Sequence, residues 1–136
     1  MPYIFFAGDA EEALAFYAAA GLGEVTNISR YAENAPASVS GVPMAGKIMH
    51  SRISRAGTDL FMLSDGIYTE PGGEMKRAQL SIGLNDLAEA NRLFAALSQG
   101  GEVTMPMAKQ FWGADFGMFK DRFGIAWMVN CDEAPA

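Results

Sequence analysis

The stretch DAEEALAFYAAAGLGEVT, residues 9–26, occurs again further along the chain as DLAEANRLFAALSQGGEVT, residues 86–104. Both copies begin with Asp, carry Glu three residues later and, after one inserted residue in the second copy, end with Gly-Glu-Val-Thr. Tyr17 of the first copy also matches Phe94 of the second. A period of roughly 77 residues is too long for a solenoid unit, so the chain is interpreted as two copies of one module, each of about 65 to 75 residues.

The first module is predicted to have the element order β-α-β-β-β and is assigned to residues 1–70. Aromatic and β-branched residues predict a strand over residues 2–8. Asp9 is predicted to cap the helix that follows, with Glu12 completing a capping box, and Gly21 is predicted to end it. Three more strands are predicted, the last two joined by a hairpin with a turn glycine: residues 24–31, 47–54 and 58–65, with Gly57 in the turn.

The second module repeats this order and is assigned to residues 77–132. Its helix is predicted from Asp86 to Ser98, with apolar residues at helical spacing on one face. Pro106 is expected at a sheet edge or a bulge, where a missing N–H is tolerated. Its strands are predicted at residues 78–84, 101–108, 115–121 and 124–130. The chain is therefore predicted to be one α+β structural domain of two tandem β-α-β-β-β modules.

Two long segments, residues 32–46 and 65–76, interrupt these patterns. Both are rich in Gly and Pro and carry no clear periodicity. They are interpreted either as lids over a pocket or as plain surface loops.

The composition limits the partners that the protein can have. The net charge is −6, and the 10 Lys and Arg residues are scattered, which argues against nucleic acid and anionic membranes because both are bound by clustered basic residues. No apolar stretch reaches roughly 18 residues, and the first residues lack the basic region of a signal peptide. The single cysteine, Cys131, excludes an intrachain disulfide and fits a reducing compartment. A cytoplasmic protein that contacts neither nucleic acid nor membrane is therefore expected.

Three stretches carry a resemblance to a known family: PYIFFAGDAEEALAFY (2–17), HSRI followed by LFMLSD (50–65) and FWGADFGMFKDRFGIAW (111–127). Together they are similar to the PhnB-like branch of the vicinal-oxygen-chelate superfamily, which includes glyoxalase, bleomycin-resistance proteins and extradiol dioxygenases. The resemblance implies that the two modules form curved mixed sheets around a cleft. It also implies that ligands on the first and last strands of each module hold a divalent metal, which binds two adjacent oxygens of a substrate.

The residues at the implied ligand positions do not suit a metal. These positions, counted from the helix caps and along the last strands, are Pro2, Met62, Gln79 and Met128. Proline has no side-chain donor, a thioether is a weak ligand for hard divalent ions, and one amide cannot hold such an ion alone. Shifting these four positions by one residue in either direction places no His, Asp or Glu there. The chain has 1 His, so one chain cannot form a site with several histidines. No metal and no cofactor are therefore expected.

Some members of this branch carry a label as a demethylubiquinone methyltransferase. The G-x-G motif of this chain, Gly21-Leu22-Gly23, follows a predicted helix and precedes a predicted strand. A nucleotide-type loop needs the reverse order, so that phosphate or ribose meets a helix N-terminus. The sequence gives methyl transfer no support.

The candidate site centres on His50, the single histidine. In a strand it shares a face with Ile48 and Arg52, and the sequence leaves open which face meets the cleft. His50 is interpreted as a general base or hydrogen-bond anchor for a ligand, or as a structural histidine. Asp65 either lines the cleft or bonds loop amides, and Trp127 either lines the cleft or packs in the core. The full set of candidate cleft residues is Tyr3, Phe5, His50, Met62, Asp65, Gln79, Trp112, Asp115, Phe116, Trp127 and Met128.

Three functions are compatible with these residues. The first is metal-free binding of an unknown small molecule in an apolar and aromatic cleft, which adaptable methionines such as Met62 and Met128 suit, unless they only fill the core. The second is an isomerase, lyase or dioxygenase of the superfamily type, with His50 as acid/base or a metal at a non-standard site. The third is an interaction protein without a small ligand. A homodimer is expected, because members of the family usually cover their sheet edges and faces with a second chain.

Overall fold

The computed structural model describes residues 1–73, 75 and 77–132; Glu74 and Lys76, in the second predicted loop, lie outside the described residues. The chain divides into two compact units after Gly73. The first unit holds β1 (Tyr3–Phe6), α1 (Ala10–Ala19), β2 (Glu24–Arg30), β3 (Ile48–Arg55) and β4 (Thr58–Asp65). The second unit holds β5 (Leu80–Leu84), α2 (Leu87–Ser98), β6 (Glu102–Lys109), β7 (Asp115–Lys120) and β8 (Ala126–Cys131).

Each unit contains one mixed sheet of four strands, and the two sheets have the same topology. The strand orders are β1-β4-β3-β2 and β5-β8-β7-β6. The pairs β1–β4 and β5–β8 are parallel, and the remaining neighbours are antiparallel. The predicted α+β fold of two β-α-β-β-β modules is confirmed.

The helix of each unit packs on one face of its own sheet. Tyr17 of α1 meets Phe61 of β4 with 5.8 Å between ring centroids, and Phe94 of α2 meets Phe119 of β7 at 5.0 Å. We call the side of each sheet that contacts its own helix the helix face, and the opposite side the far face. Paired residues on neighbouring antiparallel strands point to the same face. The buried helix residues are Ala10, Ala13, Leu14 and Tyr17 of α1, and Ala90, Leu93, Phe94 and Leu97 of α2.

The outer antiparallel strands of both sheets, β2 and β6, are irregular. In β6 the pairing register shifts between Met105 and Ala108, the segment that contains Pro106, so the expectation of an edge or a bulge for this proline is confirmed. In β2 the register shifts between Thr26 and Ser29, where Asn27 has a φ of 55°. Such irregularities interrupt the row of backbone groups that an edge strand offers to another chain.

The predicted first loop is attached to the body of its unit. Met44 is 1% exposed, and Ser38 Oγ accepts the backbone N–H of Val42 at 2.9 Å. The N–H of Val39 donates to the carbonyl of Ile67 in the second loop at 2.8 Å. The two loops are thus joined to one another. No helix in the described part of the chain is long and apolar enough to cross a membrane.

The N-terminus of α1 is capped by a residue that is distant in sequence. Asp9 occupies the N-cap position, but its side chain makes no capping hydrogen bond, so the predicted capping box is wrong. Asp65 Oδ1 instead accepts the N–H groups of Gly8 at 2.8 Å and Ala10 at 2.9 Å, and its Oδ2 accepts the N–H of Ile48 at 3.0 Å. Asp65 is 0% exposed. This carboxylate joins the start of α1 and the start of β3 to the end of β4.

The second module caps its helix locally. Asp86 Oδ1 accepts the N–H groups of Ala88 at 3.0 Å and Glu89 at 3.3 Å. The register places Cys131 at the end of β8 in the position that Asp65 holds on β4, and a thiol is a poor acceptor for backbone amides. The repeated Asp therefore caps a helix in the second module alone.

The turn between β3 and β4 has two residues, Ala56 and Gly57. Arg55 pairs with Thr58 across it, and the φ angles of the two turn residues are 50° and 82°. Positive φ at both positions is the pattern of a type I′ turn, so the predicted hairpin with Gly57 in its turn is confirmed. Ala56 occupies a left-handed conformation, which costs a residue with a Cβ roughly 1–2 kcal/mol.

Asp65→Asn keeps the size of the side chain but replaces one acceptor oxygen with an NH2 group. We expect the free energy of unfolding to fall by about 2 to 4 kcal/mol, because at least one buried amide loses its acceptor. Asp9→Asn is the matched control and should change stability by less than about 0.5 kcal/mol. Urea denaturation measures both variants, and equal losses would contradict the assignment of the cap to Asp65.

Ala56→Asn should raise the free energy of unfolding by about 0.5 to 1 kcal/mol, because Asn tolerates positive φ and is favoured before Gly in a type I′ turn. Ala37→Asn is the control, since Ala37 is exposed and has no positive φ. Thermal and urea denaturation give the two values. A gain of the same size in the control would show that the effect does not come from the turn.

Candidate ligand-binding site

His50 lies on the far face of the first sheet. Ile53 pairs with Phe61, and Phe61 meets the tyrosine ring of α1. Both residues therefore point to the helix face. Side chains alternate along a strand, so Arg52 and His50 point the other way. The structure therefore places His50 on the face of its sheet that lies opposite α1.

Tyr3, Phe5 and His50 form a group on this face that we call the aromatic cluster. The hydroxyl of Tyr3 lies 3.1 Å from Nδ1 of His50, and the two rings are 5.7 Å apart. Tyr3 and Phe5 are two residues apart on β1, and their rings stack at 4.9 Å with an interplanar angle of 29°. Phe5 is 57% exposed, whereas Tyr3 and His50 are half-buried. The aromatic cluster therefore combines an accessible ring with a polar group held behind it.

Met62 lies beside the aromatic cluster on β4. It is the register partner of Tyr3 on one side and of Arg52 on the other. The guanidinium of Arg52 donates to Asp59 at 2.9 Å. The pKa of Asp59 is lowered by a hydrogen bond from Ser54 and, to a smaller extent, by Arg52. The positive charge next to the cluster is thus balanced by a carboxylate.

Asp65 lies at the end of β4 but does not offer a free carboxylate, since both of its oxygens accept backbone amides. This arrangement corresponds to the amide-bonding alternative of the sequence analysis. The hydroxyl of Tyr31 donates to the backbone carbonyl of Asp65 at 2.8 Å. Burial raises the pKa of Tyr31, and Asp65 and Tyr3 raise it further. Tyr31 follows an irregular edge strand, so no pattern in the sequence singled it out.

Two candidates of the second module, Trp127 and Asp115, have partners within their own unit. Trp127 is 2% exposed, its indole N–H donates to Asp121 Oδ2 at 2.9 Å, and its ring is stacked with that of Phe119 at 6.3 Å. Phe119 contacts α2, so Trp127 lies on the helix face, as in the core-packing alternative. Asp115 lies 4.0 Å from the Nζ of Lys109.

Other candidates of the second module lie on its far face or near the β6–β7 turn. Met128 follows Trp127 on β8 and points to the far face, where it pairs with Met118 of β7. Trp112 is 52% exposed, and its ring lies 5.8 Å from that of Phe116. Met118 was not among the predicted cleft residues, although it stands two residues after Phe116 and therefore shares its face.

Gln79 lies apart from the other candidates of its unit. It lines a cavity of about 300 Å³ in the second module. The other residues that line this cavity are Met75, Ala78, Thr104, Phe119, Lys120 and Ala126. No other candidate from the sequence is among them.

The strand register shows which residues of the two first strands correspond. The carbonyl of Pro2 accepts the N–H of Met62 at 2.9 Å, and Pro2 precedes the register partner of Met62. The residue that precedes the register partner of Met128 is Leu80, so Leu80 is the counterpart of Pro2. Counting back from the helix caps gives Gln79 instead, because the link between β5 and α2 is one residue shorter than the link between β1 and α1.

Neither Gln79 nor its neighbour Leu80 completes a divalent metal site with the other predicted positions. Proline and leucine offer no side-chain donor, one amide cannot hold such an ion alone, and thioethers are poor ligands for hard ions. Within residues 1–73, 75 and 77–132, no three His, Cys, Asp or Glu side chains are grouped as metal ligands. The residues at the predicted positions therefore do not fit the metal that the superfamily resemblance implies.

Residues 1–130 match a family model described as 3-demethylubiquinone-9 3-methyltransferase. Protein YjdN of Escherichia coli (strain K12) is 30% identical over 141 residues, which cover 95% of this chain and 92% of that protein. The match therefore spans almost the whole of both proteins.

Solved structures extend this likeness to the fold. Protein PA1353 from Pseudomonas aeruginosa is 37% identical, covers 98% of this chain and 96% of its own, and has a TM-score of 0.80. The PhnB protein from Bacillus cereus is 26% identical, with coverages of 97% and 98% and a TM-score of 0.79. Proteins described as glyoxalase-related or as glyoxalase/bleomycin-resistance proteins share the fold alone, at lower identity.

Protein purified without chelators should contain no stoichiometric transition metal, because the predicted ligand positions carry Pro2, Met62, Gln79 and Met128. Elemental analysis measures the metal content directly. Dialysis against EDTA should also leave the midpoint of thermal unfolding unchanged, since no bound ion contributes to stability. One equivalent of bound zinc, nickel or manganese, lost together with stability on chelation, would show that a metal site exists elsewhere in the chain.

Proposed function

The chain belongs to the PhnB-like family whose model is described as 3-demethylubiquinone-9 3-methyltransferase, and we propose that it binds a small aromatic molecule on its aromatic cluster without a divalent metal. The observation that carries this proposal is the exposed ring of Phe5, stacked on Tyr3 and backed by the Tyr3–His50 hydrogen bond. A single exposed apolar side chain is ordinary on a protein surface. Here, however, the exposed ring is part of an ordered group that contains a hydrogen-bonding imidazole, which is the usual composition of a ligand site.

Stacking is the main interaction that the aromatic cluster offers. The rings of Tyr3 and Phe5 are already stacked, so the outer ring is held in one orientation and loses little conformational freedom when a ligand packs on it. Met62 adjoins Tyr3 on β4, and its flexible thioether can adapt to ligands of different shape. This surface favours a flat, largely apolar molecule.

The description of the family names methyl transfer, but the glycines of this chain have structural roles. Gly21 has a φ of 76° where α1 ends. A Cβ on Gly23 would collide with the backbone carbonyl of Ser54, so this position needs glycine for close packing of β2 on β3. Neither glycine precedes a helix N-terminus, which a nucleotide-type loop requires. Methyl transfer is therefore not part of the proposal.

An acid–base enzyme is the second candidate function, and the hydrogen bond between Tyr3 and His50 favours it. A tyrosine that fixes a histidine ring is one way to orient a general base. The two functions differ in what His50 does. As a ligand contact, His50 contributes to affinity alone; as a base, it is required for turnover of the bound molecule.

The proposed site can be tested with a panel of neutral and cationic fused-ring aromatic compounds. We expect some of the panel to raise the midpoint of thermal unfolding, because a ligand that binds the folded state at 100 times its Kd stabilises it by about 2.7 kcal/mol. Phe5→Leu should weaken the best of these ligands roughly threefold to tenfold, the size of an aromatic stacking contribution of about 0.5–1.5 kcal/mol. Isothermal titration measures the affinities.

Phe111→Leu is the matched control for this experiment, because Phe111 is 96% exposed and its ring contacts that of Trp112, not a ring of the aromatic cluster. Its affinity for the same ligand should equal that of the unaltered protein. An equal loss in both variants, or no stabilisation by any compound, would count against the aromatic cluster as the binding site.

A further inference from the structure

We propose that the hydroxyl of Tyr3 holds His50 in the tautomer with the proton on Nε2, so that the site selects aromatic ligands that carry a hydrogen-bond acceptor. This inference rests on the proposed function, since it specifies the chemistry of the ligand on the same aromatic cluster. It makes Tyr3 a positioning residue and His50 the residue that determines specificity.

The first step is the direction of the hydrogen bond between Tyr3 and His50. The two heavy atoms are 3.1 Å apart, and in a neutral imidazole one ring nitrogen is a donor and the other an acceptor. A phenol O–H is a stronger donor than an imidazole N–H, and the bare imidazole nitrogen is a stronger acceptor than a phenol oxygen. The hydroxyl therefore donates to Nδ1, and the proton of His50 resides on Nε2.

The second step is the state of Nε2. Among the described residues, the imidazole of His50 makes one hydrogen bond and one ring contact, both with Tyr3. The Nε2 atom makes no hydrogen bond to the described residues, and it is not among their buried unsatisfied atoms. Its N–H is thus free to donate to a ligand.

The third step combines this donor with the neighbouring rings. The Tyr3 ring lies 4.9 Å from that of Phe5 and 5.7 Å from that of His50. A flat ligand that stacks on Phe5 can direct an oxygen substituent toward the imidazole N–H. Arg52, which shares the face of His50, is paired with Asp59 and adds no free charge that would require an anionic ligand. The expected ligand class is an aromatic ketone, quinone or related ring with a carbonyl or phenolate oxygen.

The tautomer can be measured in the free protein, independently of any ligand. The chain has 1 His, so the ring ¹⁵N resonances of His50 need no assignment by mutagenesis. At a pH where the imidazole is neutral, we expect the shifts of a protonated Nε2 and a bare Nδ1. In Tyr3→Phe the two shifts should move toward each other as the tautomers mix. A protonated Nδ1 in the unaltered protein, or identical spectra in Tyr3→Phe, would overturn the role of Tyr3.

The selectivity can be measured with two probes that differ by one oxygen, 2-acetylnaphthalene and 2-ethylnaphthalene. We expect the unaltered protein to prefer the ketone by roughly threefold to tenfold, the fold-change that corresponds to a net hydrogen bond of about 0.5–1.5 kcal/mol. His50→Leu should abolish the preference. His50→Gln should retain part of it, because the amide NH2 of Gln can take the place of the Nε2 donor. Phe111→Leu should retain all of it.

The outcomes separate this inference from the proposed function. Equal affinity for both probes, with binding weakened roughly threefold to tenfold in Phe5→Leu, would overturn the selectivity and leave the aromatic cluster as the binding site. A preference that survives in His50→Leu would assign the donor to another residue and overturn the role of His50. Failure of both probes to bind at concentrations up to ~1 mM would overturn both proposals.

Discussion

The carboxylate of Asp65 is the interaction on which the first module depends. It accepts amides from the β1–α1 link, from the first turn of α1 and from the start of β3. A buried charge is costly unless hydrogen bonds replace its hydration, and these three amides supply that replacement. They also fix the position of β3 relative to β1. His50 is two residues beyond the bonded amide of Ile48, and Tyr3 is on β1, so the hydrogen bond between them depends on the same framework.

The two modules share a topology but stabilise it differently. In the first, one distant carboxylate caps the helix and joins three segments; in the second, Asp86 caps the helix locally, and Cys131 occupies the corresponding strand position. The buried carboxylate of the second module is Asp121, which accepts the N–H groups of Phe123 and Ile125 and the indole N–H of Trp127. It organises the last turn rather than a helix. The ancestral symmetry of the repeat therefore does not extend to the polar contacts that hold each copy together.

The superfamily resemblance implies chemistry at a metal. The strand positions that it assigns to metal ligands carry Pro2, Met62, Gln79 and Met128, which do not suit a divalent ion. The polar group that remains among aromatic residues is His50, with Tyr3 as its partner. Such a group suits recognition of one oxygen atom on an apolar ring better than chelation of two oxygens by a metal.

The sequence by itself determined the repeat, the order of the elements, the hairpin at Gly57, the edge position of Pro106 and the family, because these follow from local periodicity, turn chemistry and composition. Only the tertiary structure decided which face carries His50, that Asp65 rather than Asp9 caps α1, that Trp127 packs in the core and that Leu80 is the counterpart of Pro2. Each of these depends on pairing between residues far apart in the chain. A one-residue difference in a connecting loop changes such a pairing without leaving a mark on the local sequence pattern.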